Sequence, residues 1–414
     1  MVKLVAVTGV ALGMLVQAAQ APATAADYAG WQARIRQALF IPEKLPALDV
    51  QTFGTFSPAA GVVAERVTYG TLYGMRVPAI VYRPESLKGG KLPGLVVVNG
   101  HSGDKTTWYA YYAGILYAKA GAVVVTYDPV GEDERNQERA SDTRVHDTLL
   151  PGPEMPRRMG GQMVTDILQA TAYLAARSDV DRGRIGVMAY SMGSFHAAIA
   201  GAIDPDIHAL VLSGGGNLDG PGGYWDSPSK TMCQGGPYRA LEALGDRGAV
   251  IYALNASRGA TLVMNGTADN LIVSPHTDEA FFVDLRRRAA AITGSEKNLP
   301  ETVWFEGAGH RPSFVTRGAV VWLNRQLHFA NWDEGYINVL PEVRIREWSD
   351  KTGGKVGAAW QTEGSEWGVM ALDAGVPKVP REQLQAVPNK VWQEHKDDYT
   401  WQSWAQRAQT AAMK

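Results

Sequence analysis

From about residue 92 the chain alternates between two hydrophobic patterns. Short apolar runs rich in β-branched residues occur at Leu95–Val98, Ala122–Tyr127, Ile185–Ala189, His208–Leu212, Thr261–Met264 and Thr302–Phe305. Between most of them, and after the last, lie longer segments whose apolar residues recur at helical spacing: Trp108–Ala120, Met163–Ala176, Phe195–Ile203, Thr277–Ala291 and Thr316–Leu327. A strand that is apolar on both faces has to be covered on both faces. Strand–helix alternation supplies that cover and pairs the strands in parallel through crossovers. The pattern predicts an α/β fold, a mostly parallel sheet with helices on both faces. Upstream, Val62–Thr68 and Met75–Tyr82 read as an antiparallel pair leading into that sheet. Trp31–Phe40 has helical spacing, broken by Pro42 and Pro46.

Two stretches depart from the alternation. Residues 214–257 form an insertion whose first half is rich in Gly and Pro, and 330–414 form a C-terminal extension. Seven of the 12 tryptophans fall in that extension: Trp332, Trp348, Trp360, Trp367, Trp392, Trp401 and Trp404. No fixed repeat period accompanies them. Buried packing is the commoner use of such aromatics, with a carbohydrate-contacting surface as the alternative. The expected organisation is residues 1–26, an N-terminal segment 27–60, an α/β catalytic unit 61–329 and the Trp-rich extension 330–414.

Residues 1–26 have the make-up of an export signal. A basic start is followed by the apolar run Leu4–Val16 and small residues offering two exits, Ala21-Pro22-Ala23 and Ala23-Thr24-Ala25. The run is shorter than the roughly 20 residues a membrane span needs. A secreted or periplasmic protein without stable membrane insertion is expected. The 414 residues are 45% hydrophobic and 20% charged, enough apolar surface for a sizeable core. A net charge of −2 gives no footprint for a nucleic-acid partner. Cys233 is the single cysteine, so no intramolecular disulfide forms.

The strongest chemical signal is Ala189-Tyr190-Ser191-Met192-Gly193, standing between a strand and a helix. A serine on a tight strand-to-helix turn is held exposed at the end of the sheet, and small residues two before and two after it let backbones approach. The helix start places N–H groups near any oxyanion formed there, Met192 supplying one of them. With Ala189 for the first glycine, this motif resembles the nucleophile turn of the α/β-hydrolase superfamily. The resemblance covers about residues 60–330. It is nearest the dienelactone-hydrolase, acetyl-xylan-esterase and prolyl-oligopeptidase-like branches.

That superfamily orders its catalytic residues as nucleophile, acid and histidine, each at the end of a strand. Asp269 follows the strand Thr261–Met264 by a few residues, with Asp278 as a second choice inside the next helix. His310 follows Thr302–Phe305 in the glycine-flanked Glu306-Gly307-Ala308-Gly309-His310, and His276 is its one competitor. The resemblance implies that Ser191 attacks, His310 carries its proton and Asp269 orients His310. It also implies a second oxyanion donor at the main-chain N–H of His101, in Asn99-Gly100-His101-Ser102-Gly103, where Asn99 replaces the family's first histidine.

The run Tyr127–Arg135 resembles a family loop with Asp133 in place of its second glycine. Its acidic residues lack a cation-ligand spacing, the histidines lack a zinc pattern, and no phosphate loop is present. No metal and no cofactor are expected. Trp108 and Tyr109 beside the oxyanion loop, Tyr190 beside the nucleophile, and Tyr224 and Trp225 in the insertion are candidates for substrate contact. Resemblance and export together imply a serine esterase acting on small-molecule or polysaccharide esters, acetyl esters among them. The alternatives are a small serine peptidase of the prolyl-oligopeptidase type and a non-catalytic carbohydrate-binding relative.

Overall fold

The computed structural model describes residues 21–86, 90–227, 232–271, 278–356 and 370–413. The apolar run of the expected export signal lies outside the described residues, as do His276, Trp360 and Trp367.

Among the described residues, nine strands form one sheet: β1 (Gln51–Ala59), β2 (Val62–Gly70), β3 (Arg76–Pro84), β4 (Leu92–Val98), β5 (Val123–Tyr127), β6 (Val180–Tyr190), β7 (Ile207–Ser213), β8 (Ala260–Gly266) and β9 (Glu301–Phe305). Their spatial order is β1-β2-β3-β5-β4-β6-β7-β8-β9. The first three pair antiparallel, as do β3 and β5, and every pairing from β5 to β9 is parallel. This is the mostly parallel α/β sheet that the alternation predicts, and the α/β-hydrolase fold that the resemblance implies. The order reverses at β4, which lies between β5 and β6. In open parallel sheets such a reversal leaves a crevice at the carboxyl ends of the strands.

Among the described residues up to Leu327, the helices are α1 (Ala25–Ala38), α2 (Trp108–Ala120), α3 (Met155–Ala176), α4 (Met192–Ile203), α5 (Gly235–Arg239), α6 (Arg247–Ala256), α7 (Glu279–Thr293) and α8 (Arg317–Leu327). Within β4, Val96 and Val98 join a core built with α1, α3, α4, α6 and α7, whereas Leu95 and Val97 join a second core with α2 and α8. A continuous apolar run thus serves two cores, because successive side chains point to opposite faces.

Edge strand β1 is not anticipated by the sequence pattern. Most of its residues are exposed, so no buried face imposes an alternation on Gln51-Thr52-Phe53-Gly54-Thr55-Phe56. Asp278, the second-choice acid, caps α7 by accepting from the Phe281 N–H at 3.1 Å. The insertion holds α5 and α6, and α6 packs against α4 and α7.

Among the described residues of the extension, Trp332, Trp348, Trp392 and Trp404 are buried. Trp348 lies against Trp108, Tyr111 and Tyr112 of α2. Tyr112 Oη donates to Leu372 O at 2.9 Å. Every residue of α2 except Lys119 is buried as a result, which explains a helix apolar all round.

The extension also closes a charged centre. Lys105 Nζ lies 2.6 Å from Asp128 Oδ2, 2.6 Å from Asp133 Oδ2 and 2.8 Å from Glu134 Oε2, all four side chains having 0% exposure. Burial opposes the ammonium's charge, but the three carboxylates outweigh it and hold Lys105 protonated well above its ordinary range. Arg381 and Gln385 bond Asp133, the Ala386 and Val387 N–H groups bond Glu134, and Trp392 Nε1 donates to Glu134 O at 2.8 Å.

Replacing Lys105 by Met leaves three buried carboxylates without their central cation. Lys105→Met is expected to lose about 3–5 kcal/mol of unfolding free energy at pH 7. Burial already pushes the Asp128 carboxyl up beside Lys105 and pushes it further without the ammonium, so this group favours folding at low pH and opposes it above about pH 4. Denaturant titrations should therefore show a smaller deficit at about pH 5 than at about pH 7.

Candidate active site

The carboxyl ends of β6, β8 and β9 bring three side chains together. Ser191 directly follows β6 and precedes α4, with φ 53° and ψ −119°. A non-glycine residue at positive φ persists only where its surroundings fix it. The Ser191 N–H donates to Ser213 O at 2.8 Å, and the Ser194 hydroxyl donates to Ala189 O and Ser213 O. A Cβ on Gly193 would come within 2.6 Å of Asn99 O and 2.7 Å of Val98 O. A Cβ on Gly100 would come within 2.9 Å of Ser191 Cβ. The glycine beyond the serine is therefore required by close backbone approach, while the position before it accepts Ala189, which is buried inside β6.

His310 Nε2 is 2.7 Å from Ser191 Oγ, and His310 Nδ1 is 2.6 Å from Asp269 Oδ2. The Asp269 side chain has 0% exposure, and its Oδ1 accepts the Leu271 N–H at 3.0 Å. Tyr190 Oη donates to His310 O at 3.1 Å, and its ring lies 4.9 Å from the imidazole. Ser213 holds the same loop by donating to Arg311 O at 2.8 Å. One strand end, Ser213, thus ties both the serine turn and the histidine loop.

Ser191 and His310 open into a cavity of about 240 Å³. Met192, Phe195, Trp225 and Tyr224 give it an apolar side, and Arg144, Asn217 and Gln234 bring polar groups. Tyr224 and Trp225 of the insertion therefore line the cavity beside the serine. His101 and Met192 line it as well. The neighbouring Gly100 N–H donates to Tyr109 Oη at 3.3 Å, so that amide is already engaged. Asn99 donates through Nδ2 to Tyr127 O at 3.0 Å and ties the loop to β5.

Three of the aromatic residues expected at the substrate take other places. Trp108 is buried against Trp348 and the extension, with ring centroids 5.9 Å apart. Tyr109 is buried behind the loop that its hydroxyl supports. Tyr190 packs beneath His310 and is 6% exposed. Their adjacency in sequence to the loop and the serine is real, but the helix and strand turn them into the core. Arg144 and Phe195 are cavity residues that the sequence does not single out, whereas Asn217 and Gln234 belong to the insertion segment 217–237, where substrate selection is expected. Phe195 lies in α4, two residues beyond the serine motif.

The cluster Asp128, Asp133 and Glu134 would suit a cation by composition, but the Lys105 ammonium occupies its centre. A second group of donors, His101, His146, Asp147 and Cys233, adjoins the cavity through His101.

A family model matches residues 108–335, a span that holds Ser191, Asp269 and His310: the prolyl oligopeptidase family. The chain belongs to the prolyl oligopeptidase family. Within the curated proteins, this family member is 26% identical over 161 residues to an uncharacterised protein of Pseudomonas aeruginosa. The match spans 38% of this chain and only 38% of that relative's length. Among solved structures, a methylesterase superposes with a TM-score of 0.51 at 19% identity, covering 76% of this chain and 67% of the other. A glucuronoyl esterase from Teredinibacter turnerae gives 0.50 at 17% identity, covering 74% and 86%. At these identities the likeness is one of fold.

The serine turn makes a prediction about packing. Gly193→Ala is expected to lose about 1–3 kcal/mol of stability, because the added methyl meets main-chain oxygens that cannot rotate away. Chemical denaturation measures it; an unchanged midpoint would mean that the β4 end and α4 separate freely.

Proposed function

We propose that the protein is a serine ester hydrolase working through an acyl-enzyme at Ser191. The observation that carries this reading is the division of His310 between two partners, Ser191 Oγ at 2.7 Å on Nε2 and Asp269 Oδ2 at 2.6 Å on Nδ1. A histidine so divided accepts the serine proton on one nitrogen while the carboxylate fixes its tautomer and stabilises the imidazolium.

In the first half-reaction Ser191 Oγ bonds to the ester carbonyl carbon and its proton passes to His310 Nε2. The carbonyl oxygen becomes an oxyanion facing the Met192 and His101 N–H groups. The carbon–alkoxy bond then breaks, and His310 returns the proton to the departing alcohol. Water repeats the sequence on the acyl-serine, releasing the acid and restoring Ser191.

The finer reading is an acyl ester of an extracellular carbohydrate. The apolar side formed by Met192, Phe195 and Trp225 suits a short acyl group, and Arg144, Asn217 and Gln234 suit a hydroxyl-bearing partner. The signal-like start of the chain and the esterase names of proteins sharing its fold support the same direction. Family membership favours a peptide bond as the second reading, since the same acyl-enzyme chemistry cleaves amides.

Purified protein is expected to hydrolyse p-nitrophenyl acetate, with kcat falling at least about 10³-fold in Ser191→Ala while its circular dichroism stays unchanged. Full activity in Ser191→Ala would remove Ser191 as nucleophile. A parent inert to this ester but labelled at Ser191 by a fluorophosphonate would shift the choice to the peptide reading, tested next on proline-containing peptides.

A further inference from the structure

Four side chains from three loops turn donor atoms towards one point beside the cavity. His101 follows β4, His146 and Asp147 lie between β5 and α3, and Cys233 precedes α5. One donor atom from each lies within 4.8 Å of all the others. His101 Nε2 is 3.2 Å from Cys233 Sγ and 3.4 Å from Asp147 Oδ2, and Cys233 Sγ is 2.8 Å from Asp147 Oδ1. The ligands of a tetrahedral zinc ion, bound at 2.0–2.3 Å, stand about 3.3–3.7 Å from one another. The cluster is close to that spacing.

Hydrogen bonding alone does not account for it. His146 has no exposed side chain surface, and among the described residues its Nε2 has no hydrogen-bond partner. Its Nδ1 lies 3.0 Å from Val130 O, so the proton sits on Nδ1 and Nε2 is the nitrogen with a lone pair to offer the cluster. A buried acceptor in that state costs about 1–3 kcal/mol. Nor is the group a second proton relay. A relay uses both imidazole nitrogens, as His310 does, whereas His101 turns a single nitrogen towards both the thiol and the carboxylate.

We propose that His101, His146, Asp147 and Cys233 bind one divalent transition-metal ion of the zinc class. Two imidazoles, a carboxylate and a thiolate form a borderline-soft set that suits zinc or cobalt rather than magnesium or calcium. Binding releases the Cys233 thiol proton to solvent. The thiolate and the Asp147 carboxylate then neutralise the ion's charge. The outer contacts match those of a metal site. Ligating histidines commonly donate their second N–H to a main-chain carbonyl, as His146 does to Val130. Arg144 Nη2 donates to Asp147 Oδ2 at 2.5 Å, leaving Oδ1 towards the ion. His196 lies 2.9 Å from Cys233 O and 3.0 Å from Met192 O, coupling the thiolate segment to the serine turn.

Four protein ligands fill a tetrahedral shell, so the ion acts as a clamp. It fastens the oxyanion loop, the 145–147 turn and the insertion to one point. This inference does not depend on the ester reading, because its test reads binding and not turnover.

Full-length protein stripped with a chelator and dialysed against zinc chloride is expected to retain one zinc per chain by mass spectrometry. Loaded with cobalt, it should show a thiolate-to-cobalt charge-transfer band in the near ultraviolet. Cys233→Ser should abolish that band, and His146→Ala should weaken zinc binding at least about 100-fold. His310→Ala should change neither. A folded parent that keeps no zinc, or a cobalt spectrum without the thiolate band, overturns the proposal even if the variants misfold. Loss of the metal in His310→Ala with retention in Cys233→Ser overturns it too, placing the ion at the serine site.

Discussion

A buried ammonium needs its counter-charges supplied by the same fold that hides it. Lys105 meets that requirement with Asp128, Asp133 and Glu134, and the consequences spread outward. Lys105 ends the loop that carries His101, so the carboxylates that hold it also fix the approach of that loop to Ser191. The carboxylates have further oxygens to satisfy, and residues 381–392 satisfy them. A segment hundreds of residues along the chain is thereby wired to the rim of the cavity.

The serine turn stands on the same logic of mutual constraint. Ser191 holds positive φ because β4, α4 and the end of β7 leave no space for another path. The cost of such a conformation is of order 1–3 kcal/mol, and it is offset by packing that the two glycines make close enough. The reward is a hydroxyl presented to the cavity at the switch point of the sheet. There the loops after β8 and β9 deliver a carboxylate and an imidazole from the same edge.

The parts legible in sequence are those in which one local segment states its own role. Buried strands announce themselves as apolar runs, and Ser191, Asp269 and His310 each follow such a run at short range. The parts hidden from sequence arise from convergence. Strand β1 is exposed and carries no alternation. Asp128, Asp133 and Glu134 read as a cation loop lacking ligand spacing, because their cation is a lysine more than 20 residues away. His101, His146, Asp147 and Cys233 have no motif spacing because three loops bring them together. Trp108 and Tyr109 sit beside the loop of Asn99 to Gly103 in sequence, yet the helix they begin rotates them into the second core.

Helix α2 carries its consequence into biosynthesis. Its outer face is covered by Trp348 and the segment around Leu372, residues translated long after it. At about 5–20 residues per second, roughly 10–50 seconds separate the synthesis of α2 from that of Trp348. Throughout that interval a ribosome-bound chain presents a helix with no polar face, a ready target for holding factors that bind apolar surface. The two faces of the sheet therefore mature at different times: one can close around α3, α4 and α6 while the other waits for the last quarter of the chain.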